Sequence, residues 1–356
     1  MTVDHPNEAG SEPPSNPVLV EVHRGNGLES RHRGAVAVAD SVGDIVASWG
    51  DIVTPIFPRS AVKMIQALPL IETGAAERFR LNDEHLALAC ASHSGEPGHV
   101  RAVETWLTQI GLQGDALACG AHEPFDAAAA HALISAGQQA SALHNNCSGK
   151  HAGFLTAARH LDLSTAAYVE RSHPIQRLVT SALGEMAELD LGETPDGIDG
   201  CGIPAHALPL GHLARALAKF ASPERLGRSR GEAARRLLAA MTGHPWLVGG
   251  SGRFDTRAMA GGGARFVVKM GAEGVHVAIV PGLGLGIALK IDDGARRAAE
   301  VVMVTLLQSL GLVERETAEP FVAEALLNSR SEHVGMVRVA AGLGPLWRAI
   351  VSPDRL

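Results

Sequence analysis

The chain has 356 residues, 46% hydrophobic and 19% charged, a composition that supports a globular core and excludes a fibrous or wholly disordered chain. A net charge of −7 without a basic block argues against nucleic acid as a partner. Aromatic content of 4%, with Tyr168 as the single tyrosine, leaves little surface for base stacking, and no apolar run has the length of a membrane-spanning helix.

Residues 1–17 are polar, with Asp4, Glu8, Glu12 and four prolines. They lack the basic and apolar regions of a secretory signal and read as a disordered tail, which points to a cytoplasmic enzyme. Residues 18–22 and 34–46 read as strands, with a turn at Gly43-Asp44 and a further short strand near Ile52. Phe57-Pro-Arg-Ser-Ala-Val-Lys then opens an apolar segment that predicts a buried helix begun by Pro58. Ser60 and Lys63 lie three residues apart, so on a helix they are surface neighbours. Serine is a poor nucleophile until a base takes its proton, and a lysine kept neutral by burial can be that base.

Cys90-Ala-Ser-His-Ser-Gly-Glu-Pro follows. Ser94, Glu96 and Pro97 suit an ordinary helix start. Beside a Ser-x-x-Lys pair, Ser92 is also a candidate second hydroxyl. Val100, Val103, Trp106, Leu107 and Ile110 then share one face of a predicted helix over 97–112. A largely helical section runs from 127 to 241, broken at Asn145-Asn-Cys-Ser-Gly-Lys and at Asp199-Gly-Cys-Gly-Ile-Pro. The first break resembles a phosphate loop but has His144 where glycine is required and His151 in place of Ser or Thr, so that reading fails. Cys147 is open to two readings, a nucleophile with His151 one turn on, or a metal ligand with Cys201 for a soft or borderline cation. Cys90 and Cys119 sit in apolar runs as small buried side chains.

The loop 243–256 carries more polar punctuation than a connector requires. Strands are expected at 265–269, 274–280 and 286–291, with a hairpin turn at 271–274 and a closing helix over 295–310. Lys269, at a strand end before Gly271, is placed like the lysine of the third box of penicillin-recognising serine enzymes. The layout is α+β: an antiparallel sheet from both chain ends, flanked by helices, with a helical section of about 75–240 inserted between them.

Four runs, Phe57-Pro-Arg-Ser-Ala-Val-Lys, Ala91-Ser-His-Ser-Gly-Glu, Asn145-Asn-Cys-Ser-Gly-Lys-His-Ala-Gly and Asp199-Gly-Cys-Gly-Ile-Pro, occur in the order seen in rhizobial-type L-asparaginases (class 3, the asparaginase II family), which the chain resembles from about 18 to 310. That resemblance implies a serine β-lactamase-like catalytic domain over 18–356, related to serine-dependent glutaminases and usually a homodimer. It implies hydrolysis of L-asparagine to L-aspartate and ammonia by two Ser–Lys pairs, Ser60 with Lys63 and Ser92 with Lys269. Ser60 is the expected attacker, with Ser92 able to exchange roles and helix-start N–H groups holding the oxyanion. It also implies Zn²⁺ on Cys147, Lys150 and Cys201, supporting binding more than chemistry, and a pocket lined by Arg59, Asp199 and His93. A related amidase acting on glutamine or a β-lactam-like amide, or a non-catalytic metal-binding relative, are the alternative readings.

Overall fold

The computed structural model describes residues 15–340, apart from 315, 317, 319, 320 and 322. Most of the expected tail therefore lies outside the described residues. Asn16 is hydrogen-bonded to the Asp51 amide and to Asp292, and the Pro17 carbonyl to Gly34.

The framework is an eight-stranded antiparallel sheet. In spatial order its strands are Ala323–Leu327, His333–Val339, Val18–Arg24, Gly27–Ala39, Leu285–Ile291, Val275–Val280 and Val267–Met270. Ile45–Trp49 pairs with the end of Gly27–Ala39 after the turn at Gly43. The expected α+β class is thus observed, with strands from both parts of the chain joined where Val36 faces Leu289. The pair Ala323–Leu327 and His333–Val339 was not expected. It extends the sheet beyond Val18–Arg24.

Side chains along a strand alternate between faces. Every residue of Val275–Val280 is nevertheless buried, so this part of the sheet is covered on both sides. Helices Leu210–Ala221 and Arg296–Ser309 pack against it. The first comes so close that a Cβ on Gly286 would stand 2.2 Å from the Ala214 carbonyl oxygen and the Ala218 nitrogen. Only glycine permits that backbone-to-backbone approach.

The predicted helix over 97–112 is observed as Pro97–Gln109. The predicted helix after Pro58 is broken into three pieces: a 3₁₀ turn Arg59–Val62, then Lys63–Gln66, then Leu68–Glu72. Pro69 is the reason for the second break, since it has no N–H to continue the ladder and restarts the helix in its own first turn. The short strand expected near Ile52 lies at Pro55–Ile56, paired with Leu208–Pro209. The 3₁₀ turn Arg59–Val62 packs against the edge strand Val267–Met270.

Gly286→Ala is expected to destabilise the fold by about 1–3 kcal/mol or more through overpacking. Denaturant unfolding of the two proteins measures it; equal midpoints would mean that the helix can move away from the sheet at no cost.

Candidate active site

Lys63 is completely buried. Its Nζ lies 3.0 Å from Ser92 Oγ, 2.5 Å from the Ala91 carbonyl and 3.1 Å from Cys147 Sγ. Lys269, on the edge strand Val267–Met270, reaches the same hydroxyl from the other side, 2.9 Å from Ser92 Oγ, and donates to the Met270 carbonyl at 2.8 Å. Both lysines thus converge on Ser92. The Lys63 amide donates to the Ser60 carbonyl, but among the described residues no side-chain hydrogen bond joins the two.

Ser92 sits in the loop between helices Asp83–Ala89 and Pro97–Gln109, fixed by its amide donating to the Val248 carbonyl at 2.9 Å. That bond removes its own N–H as an oxyanion donor. The Ala61 amide at the start of the 3₁₀ turn is likewise taken, by the Pro58 carbonyl. The cap reading of the second motif holds in part: Glu96 is the N-cap residue of Pro97–Gln109, but its carboxylate accepts from the Ser251 amide and hydroxyl.

Burial, with Lys63 and Arg253 adding to it, pulls Lys269 down to about 7, although Asp255 acts the other way. Asp255 Oδ2 stands 3.9 Å from Lys269 Nζ and accepts the Met270 amide at 2.9 Å. Its Oδ1 accepts from His276 Nε2 at 2.9 Å. Burial alone would raise the Asp255 carboxyl, but His276, Lys269 and the Met270 amide together hold it below the usual carboxylate range. Asp255 and His276 were not singled out in the sequence. The one signal was the polar loop 243–256, which delivers Asp255 in the first turn of helix Phe254–Gly262.

A second cluster adjoins the first through Cys147. This residue is the N-cap of helix Ser148–His160, and Lys150 lies one turn on, on the same face. The turn carrying Cys201 is closed by the Gly202 amide on the Asp199 carbonyl and the Asp199 amide on the Ile203 carbonyl, both at 2.8 Å. Lys150 Nζ donates to Cys201 Sγ at 3.1 Å. The two thiols act on each other in opposite directions. The hydrogen bond from Cys201 draws Cys147 well below the usual thiol value against the effect of burial, with Lys63 and Lys150 assisting. The same bond, together with burial, drives Cys201 upward. Burial would lower Lys150, but Cys147, Cys201 and Asp199 outweigh it and raise it.

These donors fit the expected metal. Two sulfurs and one nitrogen, all buried and with Lys150 Nζ on Cys201 Sγ, form a soft-to-borderline set, and the cysteines are free thiols. Such a cation would displace the protons from Cys201 and Lys150. Among the described residues no group of three or more His, Cys, Asp or Glu side chains could hold a metal; the expected set has a lysine as its third member. Cys90 and Cys119 are buried as expected, and burial pushes each thiol up to about 12.

Asp199 and Arg59 meet in an ion pair, with Arg59 Nε and Nη2 at 2.9 and 2.7 Å from Asp199 Oδ1. Burial would raise the Asp199 carboxyl, but Arg59 and Lys150 hold it below its ordinary value. Arg59 adopts φ +52°, a left-handed conformation that costs a non-glycine residue about 1–3 kcal/mol. His93 lies away from this wall. It is fully buried, facing Ser148 Oγ at 2.9 Å, accepting from the Gly95 amide and stacked on His99 at 4.9 Å. Burial, with the neighbouring His99 and Lys63, lowers it well below the usual histidine value.

Ser60, Ser92, Asn146, Ser251, Arg253 and Met270 line a common cavity of about 520 Å³, within the usual size of small-molecule sites. A larger hollow of about 870 Å³ lies elsewhere, where Arg230 is already paired with Glu72 and Glu185. Neither Ser60 nor Ser92 lines it.

The sequence matches the family model for L-asparaginase II over residues 20–339. No curated protein matches significantly. Among solved structures, the chain is similar to a β-lactamase from Mycobacterium bovis, at 13% identity and a TM-score of 0.38, covering 77% of this chain and 94% of that one. It is also similar to a presumptive β-lactamase from Bacteroides dorei, at 16% identity and a TM-score of 0.36, covering 72% and 84%. Nothing about activity follows from these two likenesses.

Phosphonylation of Ser92 by a fluorophosphonate, with loss of fluoride, is expected to quicken as pH rises through about 7 and to level off above it, because Lys269 becomes neutral there. Asp255→Asn removes a charge that raises Lys269, so the midpoint should move to lower pH. A midpoint near the ordinary lysine value, or one that Asp255→Asn leaves in place, would exclude Lys269 as the base.

Proposed function

Because the chain belongs to the L-asparaginase II family, we propose that this amidohydrolase cleaves the side-chain amide of L-asparagine to L-aspartate and ammonia, with Ser92 as nucleophile. The supporting observation is a single hydroxyl, Ser92 Oγ, held between two buried amines at 3.0 and 2.9 Å in a cavity wall.

In this reading neutral Lys269 takes the Ser92 proton as Oγ bonds to the amide carbon. Lys63, whose three acceptors match the three N–H groups of an ammonium, supplies the proton to the departing nitrogen. The carbon–nitrogen bond breaks, ammonia leaves and an aspartyl ester remains on Ser92. Water then gives a proton to the now neutral Lys63 and its oxygen to the ester carbon, while Lys269 returns its proton to Ser92 Oγ, releasing L-aspartate and restoring the hydroxyl. Ser60 Oγ and the Asn146 amide, both in the cavity wall, are the donors for the oxyanion, since the Ser92 and Ala61 amides are occupied. This assigns Ser60 the supporting role and Ser92 the attacking one.

Zinc held by Cys147, Lys150 and Cys201 would supply positive charge that keeps these three donors deprotonated. The consequence for the chain is an ordered Asp199–Arg59 wall and a fixed partner for Lys63. That role belongs to substrate binding. The same reading carries a cytoplasmic homodimer. Among the described residues no helix is long and apolar enough to cross a membrane.

Ammonia release from L-asparagine, compared with L-glutamine and a chromogenic lactam, tests the substrate; preferential turnover of either alternative would replace asparagine. Ser92→Ala is expected to lower kcat by more than about 10³-fold, Lys269→Met by about 10²–10⁴-fold, and Ser60→Ala by no more than about 10²-fold. Near-normal turnover by Ser92→Ala would return the attack to Ser60. Metal analysis should find about one zinc per chain, absent from the Cys147→Ala, Cys201→Ala variant; zinc retained by that variant would place the ion elsewhere.

A further inference from the structure

Two arginines stand at the reactive centre in different electrical states. Arg59 is neutralised by Asp199. Arg253 lines the Ser92 cavity, and among the described residues no carboxylate forms an ion pair with it. Its one hydrogen bond there goes to the Met270 thioether, a weak acceptor for a group with five N–H donors. Its guanidinium also lies over the Phe125 ring, 5.6 Å from the centroid, and Phe125 is half exposed at the same cavity.

Burial disfavours the charged form of this guanidinium and nearby Arg296 adds like-charge repulsion, although Asp255 and Glu300 act the other way without forming an ion pair with it. Arg296 also lines the cavity, but it is largely exposed and pairs with Glu300 at 3.4 Å. Arg253 is therefore the poorly solvated cation whose donors remain open. Its place relative to the chemistry is set by Met270, whose carbonyl accepts from Lys269 Nζ while its sulfur accepts from Arg253. One residue separates the reactive amine from the open guanidinium.

We propose that Arg253 anchors the α-carboxylate of the substrate, so that the cavity selects amino-acid amides bearing a free carboxylate. A carboxylate offers the two coplanar acceptors that the guanidinium fork lacks. The reacting side-chain amide and the α-carboxylate of one small amino acid would then face Ser92 and Arg253 at the same time. This rests on the amidohydrolase reading above and adds its specificity.

The test uses the full-length protein and two substrates, L-asparagine and L-asparagine methyl ester, followed by ammonia release. The wild type is expected to favour the free acid by about 10-fold or more in kcat/KM. Arg253→Gln should raise KM for L-asparagine about 10–100-fold, change kcat by less than about threefold and abolish that preference. Arg253→Lys, which keeps the charge but not the fork, should be intermediate. It carries the comparison if the glutamine variant does not fold. Arg296→Gln should change KM by less than about threefold. An unchanged acid-to-ester ratio in a folded Arg253 variant overturns the proposal. Calorimetric binding of L-aspartate separates this from the activity itself. Arg253-dependent binding without ammonia release would sink the hydrolase reading and leave the anchor standing. No binding by the wild type, or equal binding by wild type and variant, would remove the anchor.

Discussion

Two buried lysines hydrogen-bonded to one hydroxyl are the constraint on which the site depends. Lys63 and Lys269 both lie within 3.0 Å of Ser92 Oγ and both are fully inaccessible to solvent. Like charges repel strongly where water cannot screen them. The protein relieves this by letting one lysine give up its proton easily. Lys269 is lowered chiefly by burial, with Lys63 contributing. In the proposed mechanism the two amines serve as base and proton donor on the same oxygen, which is what acyl transfer from a neutral amide requires.

The surroundings follow from that choice. Lys63 faces the Cys147 sulfur, Lys150 faces Cys201, and Asp199 faces Arg59. On the other flank Lys269 faces Asp255, which in turn holds His276. Opposite partners thus alternate through a region closed to water, and removing one would strand its neighbour as an uncompensated buried charge. The arrangement also explains how the proposed zinc ligands bear on the chemistry without sharing the reacting atom. Cys147 belongs to both clusters, so whatever holds its sulfur also sets the direction of Lys63. Arg253 stands outside this pairing, and its open donors set it apart from Arg59.

Much of the framework was legible in the chain. The alternation and β-branched runs at 265–291 gave the edge of the sheet its strands, observed at Val267–Met270, Val275–Val280 and Leu285–Ile291. The apolar spacing from Val100 to Ile110 placed its helix, and the four motif runs marked out the lysines, serines and cysteines that the structure gathers. The strands Ala323–Leu327 and His333–Val339 escaped notice, because their pairing to each other and to Val18–Arg24 is a long-range property. His93 stood in a site motif yet points into the core. The direction of a side chain in a loop depends on what packs around it, here His99 and Ser148.

What the amino-acid sequence determined by itself was the α+β class, the family motifs and the inventory of reactive groups. Those rest on composition, local periodicity and residue type. Only the tertiary structure decided which groups meet. Three-residue spacing suggested that Lys63 serves Ser60, but Lys63 extends through the interior to a loop 29 positions away, and Lys269 arrives there from 177 positions away. A lysine carries its amine several bonds from the backbone, so its partner is chosen by packing and by the nearest buried acceptors. The lowering of Lys269, the support from Asp255 and the open guanidinium of Arg253 likewise arise from burial and distance, quantities that exist only once the chain is folded.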